Sequence, residues 1–376
     1  MEIYLDNSAT TAVCPAAREA AVRAMEVCYG NPSALHGKGA EAKLLLEDAR
    51  RAAAALLSAA PEEVYFSHSG TLANNTAIFG AAQAKKRAGN RIVTTAAEHP
   101  SVARCMDALE AQGFEVLRLA PARDGGFDPA ALAEAVNDRT ILISAMLVNN
   151  ETGALNDVRL LRRAAQAANA PALIHTDAIQ GFGKLPVKPA KLGVDLLTAS
   201  GHKLHAPKGA GLLYVKKGVR IRPFVLGGGQ EEGLFSGTEP LPAVAGFGAA
   251  VAALDVEGNL SAAKEKNARL RAALSALPEV SLNSPENALP YILNLSVRGI
   301  PSQVLINYLS ARGISVSAGS ACRKGHRSEV LTAMGLPPEQ IDSAIRVSMS
   351  RYTTAEELDG FTAALRDAIR EIRTKL

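Results

Sequence analysis

The chain has 376 residues, of which 48% are hydrophobic and 21% are charged, and its formal net charge is +4. This composition excludes a disordered chain and is typical of a globular protein with one large and one smaller domain, or with two medium domains. The positive charge is spread along the chain without a run of lysines or arginines, so no direct nucleic-acid partner is expected.

No apolar stretch reaches the roughly 18 residues that a membrane helix needs, and the start MEIYLDNSATT lacks the basic and apolar regions of a signal peptide. The expectation is therefore a cytoplasmic protein without a membrane partner. The four cysteines have no CxxC pair and no metal-type spacing with histidines, so no metal is expected and all are interpreted as free thiols.

The elements predicted in chain order begin with short apolar runs that alternate with amphipathic stretches, which is the pattern of an α/β domain. Strands are predicted over 63–66, 91–95, 114–119, 140–148, 172–176, 195–199 and 211–215. Several of these runs are apolar on both faces, as strands buried between helices are, and helices are predicted between them, for example over 101–112 and 128–137. The pattern predicts a large domain with a seven-stranded, mainly parallel sheet.

After residue 255 the pattern changes to that of a smaller α+β domain. Its predicted elements are a helix over 261–275, a strand over 291–297, a helix over 301–312, a strand over 314–317, the segment AIRVSMS and a final helix over 354–373. The N-terminal segment is expected to pack with this domain or to lie across the cleft. The domain prediction is a large domain over 16–255 and a smaller one formed by 1–15 and 256–376.

Polar, small and titratable residues follow five of the predicted strands. The five segments are SHSGTLANN, AAEHP, NNETG, DAIQG and SGHKLHAPKG. Because ligands of open α/β sheets bind beyond the carboxyl ends of the strands, these segments are expected to form one site.

Lys203 ends the buried strand of the SGHK segment. A solvated lysine is the common interpretation of such a residue, but beside His202 at the edge of a sheet a lysine with a lowered pKa suits a Schiff base with an aldehyde. Pyridoxal phosphate is such an aldehyde, and it needs a carboxylate at its ring nitrogen. Asp177, at the end of the neighbouring strand, can supply that carboxylate.

A phosphate group needs hydrogen-bond donors, and SGTLANN is a glycine-containing turn that enters a helix, where N–H groups and the helix dipole favour an anion. Thr71, Ser200 and His202 add side-chain donors. In isolation SGT is equally typical of an ordinary helix cap, and His99 could stack on a ring, shuttle a proton or be structural. Only the convergence of the segments favours a phosphate-bearing cofactor.

The segment SVSAGSACRKGHR, residues 315–327, places Cys322 among small residues and before several cations. Neighbouring cations lower the pKa of a thiol and favour the thiolate. Alone, the segment predicts an exposed, reactive cysteine on a loop.

Further motifs extend this pattern, among them YLDNSATT, GNPSALHGKG, HTDAIQGFGK, GGGQEEGLFSGTE, GSAC and RVSMSRYT. In order, from residue 4 to about residue 375, they resemble the motifs of the cysteine desulfurases, within the class V aminotransferase group of fold-type I pyridoxal-phosphate enzymes. The resemblance implies a homodimer that converts L-cysteine to L-alanine and carries the sulfur as a persulfide. It also implies a sulfur-acceptor protein of unknown identity, in iron–sulfur cluster assembly or in tRNA or cofactor thiolation.

The resemblance implies a role for each matched residue. Lys203 would hold the cofactor, His99 would stack on its ring and serve in acid–base steps, and Cys322 would be the nucleophile that takes the sulfur. Asn150 and Arg346 would bind the substrate carboxylate, since arginine suits a bidentate fork. The cofactor-binding residues would be Lys203, Asp177 at the ring nitrogen, Gln180 at the ring hydroxyl, His99, Gly70, Thr71, Ser200, His202, Asn150, and Thr238 from the other subunit.

Two other functions stay open at this point: a selenocysteine lyase or another class V lyase or aminotransferase, and a scaffold that keeps the fold without the chemistry. The sequence departs from the family pattern at Leu72, where Glu is usual, and at Phe235, where Arg is usual. Neither departure removes a residue with a direct chemical role. Phe235 bears on the contacts near the shared phosphate site and on an ion pair between subunits.

Overall fold

The computed structural model of the chain describes residues 2–318 and 327–373. The first part contains, in order, β1 (Ile3–Tyr4), α1 (Pro15–Glu26), α2 (Gly37–Leu57), β2 (Val64–Ser67), α3 (Gly70–Lys85), β3 (Arg91–Thr95), α4 (Pro100–Ala111), β4 (Glu115–Leu119), α5 (Pro129–Ala135), β5 (Thr140–Ser144), α6 (Arg159–Ala167), β6 (Leu173–Asp177), α7 (Pro189–Leu192), β7 (Leu196–Ser200) and β8 (Gly211–Val215). The rest contains α8 (Leu241–Ala252), α9 (Val256–Ser275), β9 (Val280–Leu282), β10 (Ile292–Val297), α10 (Ser302–Ser310), β11 (Ile314–Ser315), α11 (Glu329–Ala333), α12 (Pro338–Asp342), β12 (Ala344–Ser348) and α13 (Ala355–Arg373).

The central sheet has seven strands in the order β2-β8-β7-β6-β5-β3-β4. Strand β8 runs antiparallel to both of its neighbours, and the other adjacent pairs are parallel. Every residue of β5, β6 and β7 is buried, as expected for strands covered on both faces. The predicted α/β fold and the seven-stranded, mainly parallel sheet are confirmed.

Two predicted strands are too long: the one over 314–317, which is observed as Ile314–Ser315, and the apolar run over 140–148. The second ends as a regular strand at Ser144, although Ala145 N and Leu147 N still donate to the backbone oxygens of His175 and Asp177 in β6. Met146 N donates to the side chain of Glu98 at 2.9 Å, and the side chain of Asn149 accepts the N–H groups of Glu151 and Thr152 in a turn. The run is buried throughout, so its hydrophobicity predicted burial correctly and strand length incorrectly.

Helices cover both faces of the central sheet. Alternate strand residues enter two different apolar clusters, one with α1, α2 and α8 and the other with α3 and α4. Small residues let the helices of the first cluster approach closely: a Cβ at Gly248 of α8 would lie 2.5 Å from the Cα of Ala49 in α2. This packing holds the strand ends in place at the edge of the sheet.

A three-stranded antiparallel sheet, β12-β10-β9, and a parallel pair, β1-β11, lie outside the central sheet. Ile3 and Leu5 share an apolar cluster with residues of β10, β12 and α13, so the N-terminal segment packs with the C-terminal part of the chain. The domain bounds, 16–255 for one domain and 1–15 with 256–376 for the other, stay a prediction.

Within residues 2–318 and 327–373, no single helix is long and apolar enough to cross a membrane, and one bent pair, α8 with α9, meets the criteria of length and composition only jointly.

Candidate functional site

The carboxyl ends of five parallel strands meet at one edge of the central sheet and surround a cavity of about 490 Å³. The five segments after β2, β3, β5, β6 and β7 line it, together with Ser8 and Ala9 of the N-terminal segment and Arg346 of β12. The cavity thus brings together ten residues singled out in the sequence: Gly70, Thr71, His99, Asn150, Asp177, Gln180, Ser200, His202, Lys203 and Arg346.

Two further residues singled out in the sequence lie elsewhere. Thr238 is exposed, in the segment between β8 and α8, and does not line the cavity of its own chain. Its expected contribution to the cavity of another subunit stays a prediction. Cys322 lies outside the described residues.

Lys203 follows β7 and extends into the cavity region. Its Nζ donates to the backbone oxygens of Ser8 and Ala9 at 2.6 and 2.7 Å, so its partners are neutral carbonyls. Burial, reinforced by the positive charge of Arg346, lowers the pKa of Lys203 to about 8. A lysine with such a pKa carries a substantial fraction of free amine near neutral pH, which is the nucleophilic form.

Asp177 is the last residue of β6, and its carboxylate is buried. Asn74 Nδ2 donates to Oδ2 at 2.8 Å, and the N–H of Ile179 donates to Oδ1 at 2.9 Å. Burial raises the pKa of Asp177 above its usual value, and no cation of the described residues forms an ion pair with it. A cationic ligand group would therefore stabilise its ionised form.

Asn74 and Ser101, which the sequence analysis did not single out, connect Asp177 to His99. Asn74 Nδ2 also donates to Ser101 Oγ at 2.9 Å, and Ser101 Oγ lies 2.8 Å from His99 Nδ1. Since His99 Nδ1 also accepts the N–H of Ser101 at 3.1 Å, the neutral ring carries its proton on Nε2. The signal available in the sequence was the position of Asn74 next to Ala73 and three residues before Ala77, on the face of α3 that the structure shows to be buried.

Glu98 is a second cavity residue that the sequence analysis did not assign. Its Oε1 accepts hydrogen bonds from Thr95 Oγ1 at 2.7 Å and from Met146 N at 2.9 Å, whereas the buried Oε2 has no hydrogen-bond partner. Burial raises the pKa of Glu98 to about 8, so the carboxyl is mostly protonated at neutral pH.

One end of the cavity is formed by the N-terminus of α3, whose N–H groups suit an anion. A Cβ at Gly70 would lie 2.5 Å from Ile179 Cδ1 and 3.1 Å from Ser200 Cβ, so glycine lets this helix end approach β7 without displacing either side chain. His202 lies beside it, with Nδ1 3.2 Å from Thr10 Oγ1. Burial and the nearby Lys203 and Lys208 lower the pKa of His202 to about 4, so its ring is neutral.

Arg346 lies at the other side of the cavity and is held by three oxygens. Nη1 donates to the backbone oxygen of Asn150 at 2.8 Å, and Nη2 donates to Asp6 Oδ1 at 2.9 Å and to Ser317 Oγ at 3.3 Å. Its Nε is buried without a hydrogen-bond partner. A guanidinium with an unused N–H in a cavity suits a carboxylate ligand.

The residues present fit pyridoxal phosphate. Lys203 offers an amine for the aldehyde, Asp177 a carboxylate for the ring nitrogen, and the N-terminus of α3 an anion site for the phosphate. Ser8 Oγ, another cavity atom, is buried without a hydrogen-bond partner, as is Arg346 Nε, so the cavity has polar atoms that a ligand can satisfy. By contrast, no group of three or more His, Cys, Asp or Glu side chains in the described ranges could hold a metal ion.

The two departures from the family pattern share one environment. Phe235 is 3% exposed, and it lies in the apolar cluster formed with α3 and α4, against which Leu72 of α3 also packs. The apolar residues at these two positions extend that cluster and place no charge in it.

Comparisons with known proteins agree with what the geometry of the cavity indicates. The model of the class-V aminotransferases matches residues 3–361. The chain is 37% identical to a protein named cysteine desulfurase IscS from Methanosarcina thermophila, over 99% of this chain and 93% of that one. It is 38% identical to a protein named cysteine desulfurase from Nostoc sp., over 99% and 94% of the two chains.

Solved structures are similar over nearly the whole chain. A structure titled NifS-like protein has a TM-score of 0.93 and 35% identity and covers all of both chains. A structure titled SspA in complex with cysteine has a TM-score of 0.83 and 31% identity, covering 94% of this chain and all of the other.

Proposed function

This chain belongs to the class-V aminotransferase family, and on that premise we propose that it is a pyridoxal-phosphate-dependent cysteine desulfurase. Its substrate is L-cysteine, its product is L-alanine, and Cys322 receives the sulfur. The observation that carries this function is the cavity itself: a lysine with a lowered pKa, a buried carboxylate, an anion site and a guanidinium with an unused N–H lie around one space of about 490 Å³.

When bound, pyridoxal phosphate supplies an aldehyde for an amine and a ring that withdraws electrons from the substrate's α-carbon. Lys203 would hold the cofactor through Nζ, Asp177 would pair with the ring nitrogen, and Gln180 would reach the ring hydroxyl. The N-terminus of α3 would bind the phosphate with Thr71, Ser200 and His202. The neutral state of His202 leaves it able to donate one hydrogen bond and accept another.

Arg346 binds the substrate carboxylate. Its Nη atoms are already oriented by Asn150, Asp6 and Ser317, so little side-chain freedom is lost when Nε takes up a carboxylate oxygen. Lys203 Nζ then has a pKa suited to taking the α-proton, because its surroundings disfavour the ammonium form. His99, anchored by Ser101, serves in further proton transfers.

The bonds and electrons of the sulfur-transfer step balance without an external oxidant. The thiolate of Cys322 attacks the sulfur of L-cysteine, an S–S bond forms, and the substrate's C–S bond breaks. The electron pair of that bond stays on the β-carbon, which takes a proton. Return of a proton to the α-carbon then completes alanine, while Cys322 carries the persulfide. The sulfur then passes to an acceptor protein, for iron–sulfur cluster assembly or for thiolation of tRNA or a cofactor.

The enzyme works as a homodimer in this proposal. Most large apolar side chains that are exposed in the described parts of the chain lie in two stretches, 13–44 and 224–226, including the fully exposed Leu35 and Leu226 with 83% exposure. Clustered exposed apolar residues are typical of a surface that another subunit covers. The second stretch leads to Thr238, and the proposal includes a contribution of this residue to the other subunit's phosphate site. The cytoplasmic location expected from the sequence stays a prediction.

The test is to incubate the purified holoenzyme with L-cysteine and to measure alanine together with persulfide on Cys322. Cys322→Ser should lose both products, and Lys203→Ala should lose the absorption of the bound cofactor as well. Cys28→Ser is the matched control, since Cys28 is a buried thiol at the end of α1 outside the cavity, and it should keep both products.

Absence of alanine with the wild-type holoenzyme would refute the desulfurase. Full alanine release by Cys322→Ser would favour the alternative of a lyase that does not use the thiol. Repeating the assay with L-selenocysteine distinguishes a selenocysteine lyase, which would prefer that substrate.

A further inference from the structure

Lys184, in the segment after β6, is a buried lysine that the reaction described above does not use. It is 7% exposed, and no carboxylate of the described residues pairs with it. Its Nζ donates to Gln180 Oε1 at 3.1 Å and lies 5.9 Å from the centroid of the Tyr291 ring. Burying a cation without a counter-charge costs free energy. The burial of Lys184 behind the cavity therefore indicates that this lysine has a function.

Lys184 determines which way the Gln180 amide is turned. An ammonium only donates, so Gln180 must direct Oε1 towards Lys184. Gln180 Nε2 then donates to the backbone oxygen of Ser8 at 3.0 Å, the same oxygen that accepts Lys203 Nζ at 2.6 Å. Ser8, Gln180 and Lys203 line the cavity, whereas Lys184 lies behind Gln180.

The groups that face Lys184 are cationic or neutral. Lys203 and Arg346 raise the free energy of its charge, and burial together with these two lowers the pKa of Lys184 to about 7. A small space of about 20 Å³ is lined by Lys184, Lys203 and three other titratable residues, His205, Tyr291 and Arg351, and by no carboxylate of the described residues. Asp6 and Asp177 act on Lys203 from the cavity side and favour its charge.

We propose that Lys184 is a positioning residue of the cofactor site, whose Nζ holds the Gln180 amide with Nε2 towards Ser8 and the cavity. The inference rests on the proposed function, in which Lys203 holds the cofactor and Gln180 reaches its ring hydroxyl. Lys184 thus acts from behind the site by ordering a hydrogen-bond donor.

The first test is the rate at which the Lys184→Met holoenzyme loses the absorption band of its bound cofactor. Losing the donor to Gln180 Oε1 should speed this loss by about tenfold, because Gln180 Nε2 is then no longer held towards Ser8 and the cavity. Lys191→Met makes the same chemical change at an exposed lysine of α7 and should lose the band at the wild-type rate. An unchanged rate in the Lys184→Met enzyme would overturn the inference.

The second test asks whether Lys184 acts through Gln180. Lys184→Met and Gln180→Ala should each speed cofactor dissociation by about tenfold, and the double variant should be no faster than Gln180→Ala alone. Independent, multiplying effects would contradict the positioning role. If Lys184→Met does not fold, Lys184→Gln keeps a hydrogen-bond donor for Gln180 Oε1 and should release the cofactor more slowly than Gln180→Ala.

Failure of the inference and failure of the proposed function give different results. If the wild-type holoenzyme has no such band, or borohydride reduction does not attach the cofactor to Lys203, the proposed function is wrong. If the wild-type enzyme behaves as expected and the Lys184→Met enzyme releases the cofactor at the wild-type rate, only the role of Lys184 is wrong.

Discussion

Arg346 and Asp6 are 340 positions apart in the sequence, yet Arg346 Nη2 donates to Asp6 Oδ1 at 2.9 Å. The exposed fractions of the two side chains are 5% and 22%, so the ion pair is largely shielded from water. It joins β12 to the N-terminal segment at the wall of the cavity. The orientation of the guanidinium therefore depends on a residue from the opposite end of the chain.

Asp6→Asn should weaken this orientation. We expect the KM for L-cysteine to rise by about tenfold while cofactor content stays near the wild-type level, since Asp6 itself does not line the cavity. Steady-state kinetics of alanine formation measures the effect. Asp48→Asn, at an exposed carboxylate of α2, is the control and should leave KM unchanged. An Asp6→Asn enzyme with the wild-type KM would show that Arg346 does not need this partner.

The lowered pKa of Lys203 predicts how the apoenzyme takes up cofactor. The free amine is the reactive form, so the rate should rise with pH through a midpoint near 8 instead of near the ordinary lysine value of 10.5. Asp6 raises the pKa of Lys203, so Asp6→Asn should move this midpoint downwards. Stopped-flow absorbance over a series of pH values measures both. A midpoint above 10 would contradict the burial of Lys203 in the apoenzyme.

Asn74→Ala should remove the hydrogen bonds that connect Asp177, through Ser101, to His99. The carboxylate loses one of its two donors and Ser101 loses the amide that donates to it, so we expect cofactor affinity and turnover each to fall by about tenfold. Equilibrium dialysis and single-turnover kinetics measure the two effects. Asn307→Ala, at an exposed asparagine of α10, is the matched control with no expected change in either. Unchanged cofactor affinity in the Asn74→Ala enzyme would contradict the role of this network.

The raised pKa of Glu98 predicts that this residue makes a pH-dependent contribution to the free energy of unfolding. Burial raises the pKa of Glu98 from its ordinary value of 4.5 to about 8, so the folded state binds the proton more tightly than the unfolded chain. Stability from this group is present below pH 4.5 and is lost as pH rises towards 8. Glu98→Gln, which cannot ionise, should therefore gain in Tm relative to wild type as pH increases from 5 to 8 in the same buffers.

Differential scanning fluorimetry across that pH range measures the trend for Glu98→Gln. Glu134→Gln, at an exposed glutamate of α5, should follow the wild-type curve at every pH. A Tm difference between Glu98→Gln and wild type that does not change with pH would mean that Glu98 is already ionised in the folded protein.

Much of the fold and of the cavity could be predicted from the sequence, because both follow from local patterns. Runs that are apolar on both faces mark the buried strands, and parallel strands place their carboxyl ends at one edge of a sheet. Any polar segment that directly follows such a strand therefore lies at this same edge of the sheet. The ten cavity residues singled out in the sequence were found in this way or through the family resemblance, and all ten line one space.

The sequence by itself determined the sheet, the order of its polar segments and the residues that meet at its edge. Only the tertiary structure decided the hydrogen bonds, the burial and the pKa values of these residues. Asn74 and Asp177 are 103 positions apart, and no local pattern indicates that one donates to the other. Lys184 would be an ordinary solvated lysine if Tyr291, Lys203 and Arg346 did not enclose it. Burial and electrostatic fields are sums over distant parts of the chain, so they exist only once those parts have packed together.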